Sequence, residues 1–111
     1  MNLEKSVTDR GFFYIRSISH DSAKRKLIIE FIKAPEESSL AKRILTFTGI
    51  EGFSKELNWD KAEDIDAKGG IIDSLIGLDE YPDKGMVRYV IHTEFREMIF
   101  RTKEKPRLED V

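Results

Sequence analysis

The sequence predicts a mainly β fold: an antiparallel β-sandwich or a partly open barrel of about six to eight strands, with room for one short helix. Short segments rich in aromatic and β-branched residues recur along the chain, and turn-forming residues separate them about every eight to twelve positions. Neither an internal repeat nor a low-complexity tract interrupts the 111 residues. We therefore expect a single domain over residues 1–111, with loosely ordered ends at 1–10 and 104–111.

The first two segments predict a β-hairpin. Residues 11–20, GFFYIRSISH, are aromatic and β-branched, and residues 26–33, KLIIEFIK, alternate with Leu27, Ile29 and Phe31 toward the core. The polar residues between these segments supply turn chemistry. The alternation of the first segment is imperfect, which indicates either a bulge or a strand that is covered on both faces.

The middle of the chain has a less regular pattern. Residues 40–49 combine helical spacing with a strand-like content of Thr, Phe and Ile, and we predict a strand over residues 42–48. Residues 50–59 can hold another short strand. A helical turn capped by Asp60 can follow at residues 60–67.

Glycines decide the prediction for residues 69–81. The apolar residues of this segment fit helical spacing, but its glycines disfavour a helix, so we predict a strand. The letters YPDKG at 81–85 predict a turn, because proline fixes φ and glycine allows positive φ. Residues 86–95 and 97–103 alternate between apolar and polar positions and predict a final hairpin.

The composition excludes several classes of protein. The chain has no cysteine, which excludes a disulfide scaffold, a thiolate zinc site and a cysteine nucleophile. No apolar run is long enough to span a membrane, and the first residues lack the apolar stretch of a signal peptide, so we expect a cytoplasmic protein without a membrane partner. No GxSxG, P-loop or GxGxxG motif occurs, so we predict no catalytic residues, no cofactor and no enzymatic activity.

Two histidines and two strand carboxylates are the remaining candidates for chemistry. His20 and His92 could form a metal site with a carboxylate, and a metal-dependent enzyme that uses both is our second alternative function. No HExxH or HxH spacing supports it, so polar strand-end histidines are the favoured interpretation and we predict no metal site. Asp73 and Glu30 interrupt apolar strands, and we expect both to face solvent from the outer surface of the sheet.

Basic and aromatic residues alternate near both ends of the chain, which is typical of a small β-barrel that binds single-stranded nucleic acid. This is our first alternative function. The 19 Lys and Arg against 21 Asp and Glu, a net charge of −2, argue against nucleic acid, as does the preference of strand aromatics for the core. The residues concerned are Arg10, Phe12, Tyr14, Arg16, Arg88, Tyr89, Phe95, Arg96, Phe100 and Arg101.

Residues 51–66 concentrate negative charge, whereas residues 88–107 are more basic. Aromatic anchors in charged surroundings are common at protein interfaces, so the acidic stretch predicts a surface for a basic protein partner. A solvated loop with the tryptophan folded inward is the other interpretation. An exposed edge strand could also pair two copies, so we expect a monomer or a homodimer. The predicted protein-binding residues are Glu51, Glu56, Trp59, Asp60, Glu63, Asp64 and Asp66.

The segments follow one another in a recognisable order. A strand ending in HD leads by a hairpin to KLIIEF, and FTGIEGF, IIDSLIGLDEY and RYVIHTEFREMIF follow. This order resembles small uncharacterised bacterial proteins of the YxiG-like and immunity-protein type, over about residues 10–105. The shared motifs are strand patterns and small residues, with no catalytic signature. The resemblance implies a binding protein that neutralises a toxin encoded nearby.

Overall fold

The computed structural model describes residues 2–33, 41–57 and 73–111. Eight antiparallel strands and one short helix make up this described part of the chain, which confirms the predicted mainly β class. Helix α1 spans Leu3–Thr8, and a single 3-10 turn follows at Asp9–Gly11. The strands are β1 Tyr14–Asp21, β2 Lys26–Ile32, β3 Lys42–Phe47, β4 Glu51–Leu57, β5 Asp73–Asp83, β6 Met86–Thr93, β7 Arg96–Thr102 and β8 Arg107–Asp110.

The strands form one continuous sheet in the order β4-β7-β6-β5-β1-β2-β3-β8. β4 and β8 are the edge strands and do not pair with each other within the described residues, so the sheet is not closed into a barrel. Among the described residues, β1 and β5 join the two halves of the sheet through two register pairs, Tyr14 with Ser74 and Ile15 with Asp73.

The two halves of the sheet face each other across the core. Phe47 of β3 packs edge-on against Tyr89 of β6 and Phe100 of β7, with ring centroids 4.9 and 4.8 Å apart. Burial of such rings and of the aliphatic side chains around them is the main force that holds the halves together. β2 buries the three side chains that the alternation assigns to the core: Leu27, Ile29 and Phe31.

The N-terminal residues differ from the loosely ordered end that the sequence predicts. Leu3 and Val7 lie about one turn apart on the same face of α1, and both are buried. The Asn2 side chain caps the helix by accepting a hydrogen bond from the Lys5 amide at 3.1 Å. At the other end of the chain, β8 pairs with β3 along the edge of the sheet. Both chain ends are therefore attached to the folded domain.

Arg43 ties both chain ends to the sheet. Its guanidinium is buried and donates hydrogen bonds to the Asp110 carboxylate of β8 at 2.6 and 3.3 Å. It also lies 4.4 Å from the centre of the Phe12 ring, a cation–π contact. The remaining donor capacity goes to main-chain carbonyls at and just after the C-terminal end of α1, where a helix has unsatisfied acceptors. These are the carbonyls of Ser6, Val7 and Asp9, at 3.0 to 3.1 Å.

The ambiguous segments β3 and β5 are strands, as the sequence predicts. The predicted turn at 81–85 is shorter in the structure, because Pro82 lies within β5 opposite Val87. Only Lys84 and Gly85 turn the chain, both with positive φ, which is typical of a two-residue hairpin. A register shift after Ile15 is the bulge that the sequence left as one option for β1.

The predicted helical turn at residues 60–67 lies outside the described residues. Within the described ranges, no helix has both the length and the apolar character that a bilayer crossing requires.

Candidate protein-binding face

The outer face of the β4, β7, β6 and β5 half of the sheet carries three rows of cross-strand neighbours. Residues opposite each other in an antiparallel sheet project to the same side, so the register defines each row. On β7, residues 97, 99 and 101 point outward, and the residues between them are buried. The arginine row is Glu51, Arg101, Arg88 and Tyr81; the middle row is Ser54, Ile99, Val90 and Asp79; the acidic row is Glu56, Glu97, His92 and Gly77.

Two carboxylates stand directly opposite each other in the acidic row. Glu56 of the edge strand β4 pairs in register with Glu97 of β7. The Glu97 carboxylate lies 3.0 Å from Nδ1 of His92, and Asp79 lies 3.9 Å from Nε2 of the same ring. Glu56 is exposed and has no polar partner among the described residues. Since like charges in register destabilise a sheet, the repulsion between Glu56 and Glu97 lowers the free energy of unfolding.

Two arginines stand opposite each other in the arginine row. Arg88 of β6 pairs in register with Arg101 of β7, and both side chains are exposed. Arg101 lies 3.8 Å from the Asp83 carboxylate, whereas Arg88 has no polar partner in the part of the chain that the structure describes. Glu51 is the register partner of Arg101 on β4, but its carboxylate also lies 3.4 Å from Arg25. Like charges therefore stand opposite each other at this end of the face as well, and here both are positive.

The middle row separates the two charged rows with aliphatic side chains. Ile99 and Val90 are register partners and are half-buried. An apolar centre with a charged border is the arrangement found in protein interfaces, where the centre is depleted of charge and the rim is polar. Ile99 and Val90 form a small apolar centre of this kind, while Ser54 and Asp79 at the ends of the same row are polar and exposed.

Two of the seven predicted protein-binding residues lie in the described part of the chain. Glu56 lies in the acidic row and is exposed. Glu51 lies in the arginine row, near the other end of β4, so the two carboxylates belong to different ends of the face. The other five, Trp59, Asp60, Glu63, Asp64 and Asp66, lie outside the described residues.

Sequence reasoning missed Glu97 and Asp79 as neighbours of Glu56 and His92. Alternation along one strand assigns an outward face, but it does not say which residue of another strand stands opposite. The register of β4 on β7 is shifted by a bulge between Glu51 and Ser54. Gly52 has a φ of 63° within this bulge, a conformation that glycine adopts without strain.

The expectation that Asp73 faces solvent is wrong. Its side chain is buried, accepts a hydrogen bond from Oγ1 of Thr93 at 2.7 Å and lies 3.3 Å from Nε of Arg96. Oγ1 of Thr93 also accepts a hydrogen bond from the Arg96 amide, so the network braces the β6–β7 turn. A buried carboxylate is tolerated because it is paired and hydrogen-bonded. Glu30, by contrast, lies on the outer side of β2, as predicted, 3.2 Å from Lys42.

The two histidines do not share a contact within the described residues. His20 of β1 stacks on Phe53 of β4 with ring centroids 3.9 Å apart, whereas His92 contacts Glu97 and Asp79. Among the described residues, no group of three or more His, Cys, Asp or Glu side chains could hold a metal ion. The geometry gives no support there to a site that uses both histidines.

Several aromatic rings considered for base stacking lie in the core. Phe12, Tyr89 and Phe100 are each at most 4% exposed. Burial, and secondarily the Glu80 carboxylate, raises the pKa of the Tyr89 hydroxyl above its usual range. Arg96 lies against Asp73 inside the fold. A nucleic-acid base could reach these three rings only if the core opened.

No protein-family model matches the chain, and no curated protein sequence shows significant similarity to it. Function is therefore inferred from the geometry of the outer face.

Proposed function

We propose that this protein is a non-enzymatic binding module whose acidic row docks a basic protein partner, in the manner of a cytoplasmic bacterial immunity protein that blocks a toxin. The observation that carries the proposal is the pairing of Glu56 with Glu97, with no ion pair for Glu56 among the described residues. A lysine or arginine of the partner would relieve this repulsion. Binding would then recover free energy that the unbound sheet loses.

The position of Glu56 supports the same proposal. It lies on an edge strand, so its carboxylate stands at the border of the described sheet. In the sequence, β4 is followed by the acidic residues Asp60, Glu63, Asp64 and Asp66. Concentrated charge of one sign accelerates the encounter with an oppositely charged partner, and this acceleration weakens as salt is added. A toxin with a basic active site is a partner of this kind.

The proposal is tested by co-expressing the chain with the toxin-like product of a neighbouring gene and measuring growth and direct binding. We expect the unchanged chain to restore growth and Glu56→Lys to lose protection, with dissociation at least about tenfold faster. Glu109→Lys is the matched control, because Glu109 is an exposed glutamate on β8, the opposite edge strand. It makes the same change of charge and should protect like the unchanged chain.

Circular dichroism of each variant separates a folding defect from a binding defect. Protection by Glu56→Lys equal to that of the unchanged chain would refute the role of the acidic row. If the chain neither binds nor neutralises the neighbouring gene product, the immunity function itself is wrong. Light scattering on the same samples distinguishes a monomer from a dimer paired through an edge strand.

A further inference from the structure

A pocket beside the arginine row is lined by two arginines, one of which has no carboxylate partner among the described residues. The pocket has a volume of about 240 Å³, and its lining includes Arg88, Arg101, Asp83 and Glu51. Asp83 lies against Arg101, and the Glu51 carboxylate lies against Arg25. Each of the two lining carboxylates thus contacts an arginine, and Arg88 is the lining guanidinium that no carboxylate contacts among the described residues.

We propose that this pocket binds one anionic oxygen group, a phosphate or a carboxylate, between Arg88 and Arg101. The two arginines are register partners, and side chains in this relation have Cβ atoms about 5 Å apart. An oxyanion between two guanidinium groups can accept hydrogen bonds from both, and planar guanidinium groups match phosphate and carboxylate oxygens well. The bound anion would also remove the repulsion between the two cations.

The β4 side of the pocket leaves room for such a ligand. Gly52 lines the pocket in the bulge of β4, and a Cβ atom built at this position would meet no atom within 4 Å. The space beside the glycine is therefore open. A residue without a side chain at this point gives a phosphate or a carboxylate access to the two guanidinium groups.

This site goes beyond the proposed function, because it uses the cationic end of the face and requires no basic partner. The acidic row and the arginine row lie four residues apart along β6, at His92 and Arg88. A loss of anion binding therefore leaves the docking of a basic protein untouched, and the converse also holds. The two ideas can fail independently.

Nuclear magnetic resonance of the labelled full chain at low ionic strength tests the proposal. Inorganic phosphate and acetate are added in separate titrations, and sodium chloride at matched ionic strength is the reference. We expect saturable shifts at the Nε–H groups of Arg88 and Arg101 and at the Gly52 amide. Saturation with phosphate alone would restrict the site to phosphates and phosphoryl groups, and saturation with both anions would show that it also accepts carboxylates; both results support the site.

Arg88→Gln should weaken the binding of phosphate by about tenfold or more, since it removes charge-assisted hydrogen bonds. Arg107→Gln is the matched control, because Arg107 is an exposed arginine on β8 with its own partner, Glu109. It should bind phosphate like the unchanged chain. Arg101→Gln provides a second variant if Arg88→Gln lowers the stability. Shifts that do not saturate, shifts that sodium chloride reproduces, or equal weakening by Arg107→Gln would overturn the proposal.

Discussion

Replacing Arg43 by methionine tests whether one buried side chain holds both ends of the chain on the sheet. Methionine keeps an unbranched side chain that can fill most of the same space, but it cannot donate a hydrogen bond. The change removes the hydrogen bonds of Arg43 to Asp110 and to three main-chain carbonyls, as well as its contact with the Phe12 ring. We expect α1 and β8 to loosen while the rest of the sheet stays folded.

The size of the effect depends on which groups water can reach in the variant. The Asp110 side chain is 63% exposed and can bind water in the variant, so the loss of its hydrogen bonds with Arg43 contributes little to the change in stability. The Val7 carbonyl accepts its hydrogen bond in a buried position, and leaving such a group unsatisfied costs about 1–3 kcal/mol. The cation–π contact with Phe12 adds about 1 kcal/mol, and the partly buried carbonyls add less. Because methionine also avoids burying a charge, we expect a net loss of about 3 kcal/mol.

Urea denaturation and thermal melting followed by circular dichroism measure this loss. For a chain of 111 residues, about 3 kcal/mol corresponds to a melting temperature about 13 °C lower. Arg107→Met is the control, because Arg107 is exposed on the same strand as Asp110, and it should change the stability by no more than about 0.5 kcal/mol. Hydrogen exchange at the amides of Leu3–Thr8 should become faster in Arg43→Met alone. A loss below about 1 kcal/mol with unchanged exchange would refute the reasoning.

Three further changes have effects of known sign. Gly52→Ala should cost about 1 kcal/mol of unfolding free energy in urea, because alanine is strained at a φ of 63° although its Cβ meets no atom within 4 Å. Glu56→Gln should stabilise the protein by about 0.2–1 kcal/mol at low salt and by nearly nothing at high salt, because it removes the repulsion from Glu97. The hydrogen bond from Arg43 holds the pKa of Asp110 below its ordinary value of 3.8, so the ionised carboxylate stabilises the fold above that pH. The difference in melting temperature between Asp110→Asn and the unchanged chain should therefore be constant above about pH 4 and shrink as the pH falls further.

Each of these effects has a clear contrary result. A destabilising Glu56→Gln, or a stabilisation that persists in high salt, would contradict the like-charge argument. A difference for Asp110→Asn that is the same at every pH would show that its carboxylate does not stabilise the fold through its charge. An unchanged free energy of unfolding in Gly52→Ala would mean that the backbone of the bulge adjusts to accommodate alanine.

Local patterns in the sequence predict the strands but not the contacts between distant strands. The alternation of Leu27, Ile29 and Phe31 identifies a core face without any knowledge of the partner strand. Asp73 shows the limit of this reasoning: a carboxylate within an apolar run fits an outward position equally well. Its burial depends on Thr93 of β6 and Arg96 of β7, and only the pairing of the strands brings these side chains to Asp73.

The N-terminal helix shows a second limit. A helix of six residues has only two apolar side chains to bury, so a window long enough to reveal helical periodicity dilutes its signal. Most of its stability comes from partners far along the chain. The Glu80 carboxylate accepts a hydrogen bond from the Leu3 amide, and the Leu78 amide donates one to Glu4, both at 2.8 Å. Such contacts cannot be derived from the helix sequence.

The two like-charged pairs on the outer face are far enough apart to act separately. Arg88 and His92 are four residues apart on β6, which places the arginine row about 13 Å from the acidic row. Physiological salt screens exposed charges over about 8 Å, so neither row neutralises the other. Each row therefore keeps its own uncompensated charge, which dissolved ions screen and a ligand of the opposite charge would neutralise. It follows that Glu56→Lys should leave the affinity for phosphate nearly unchanged, and Arg88→Gln should leave the docking of a basic partner nearly unchanged.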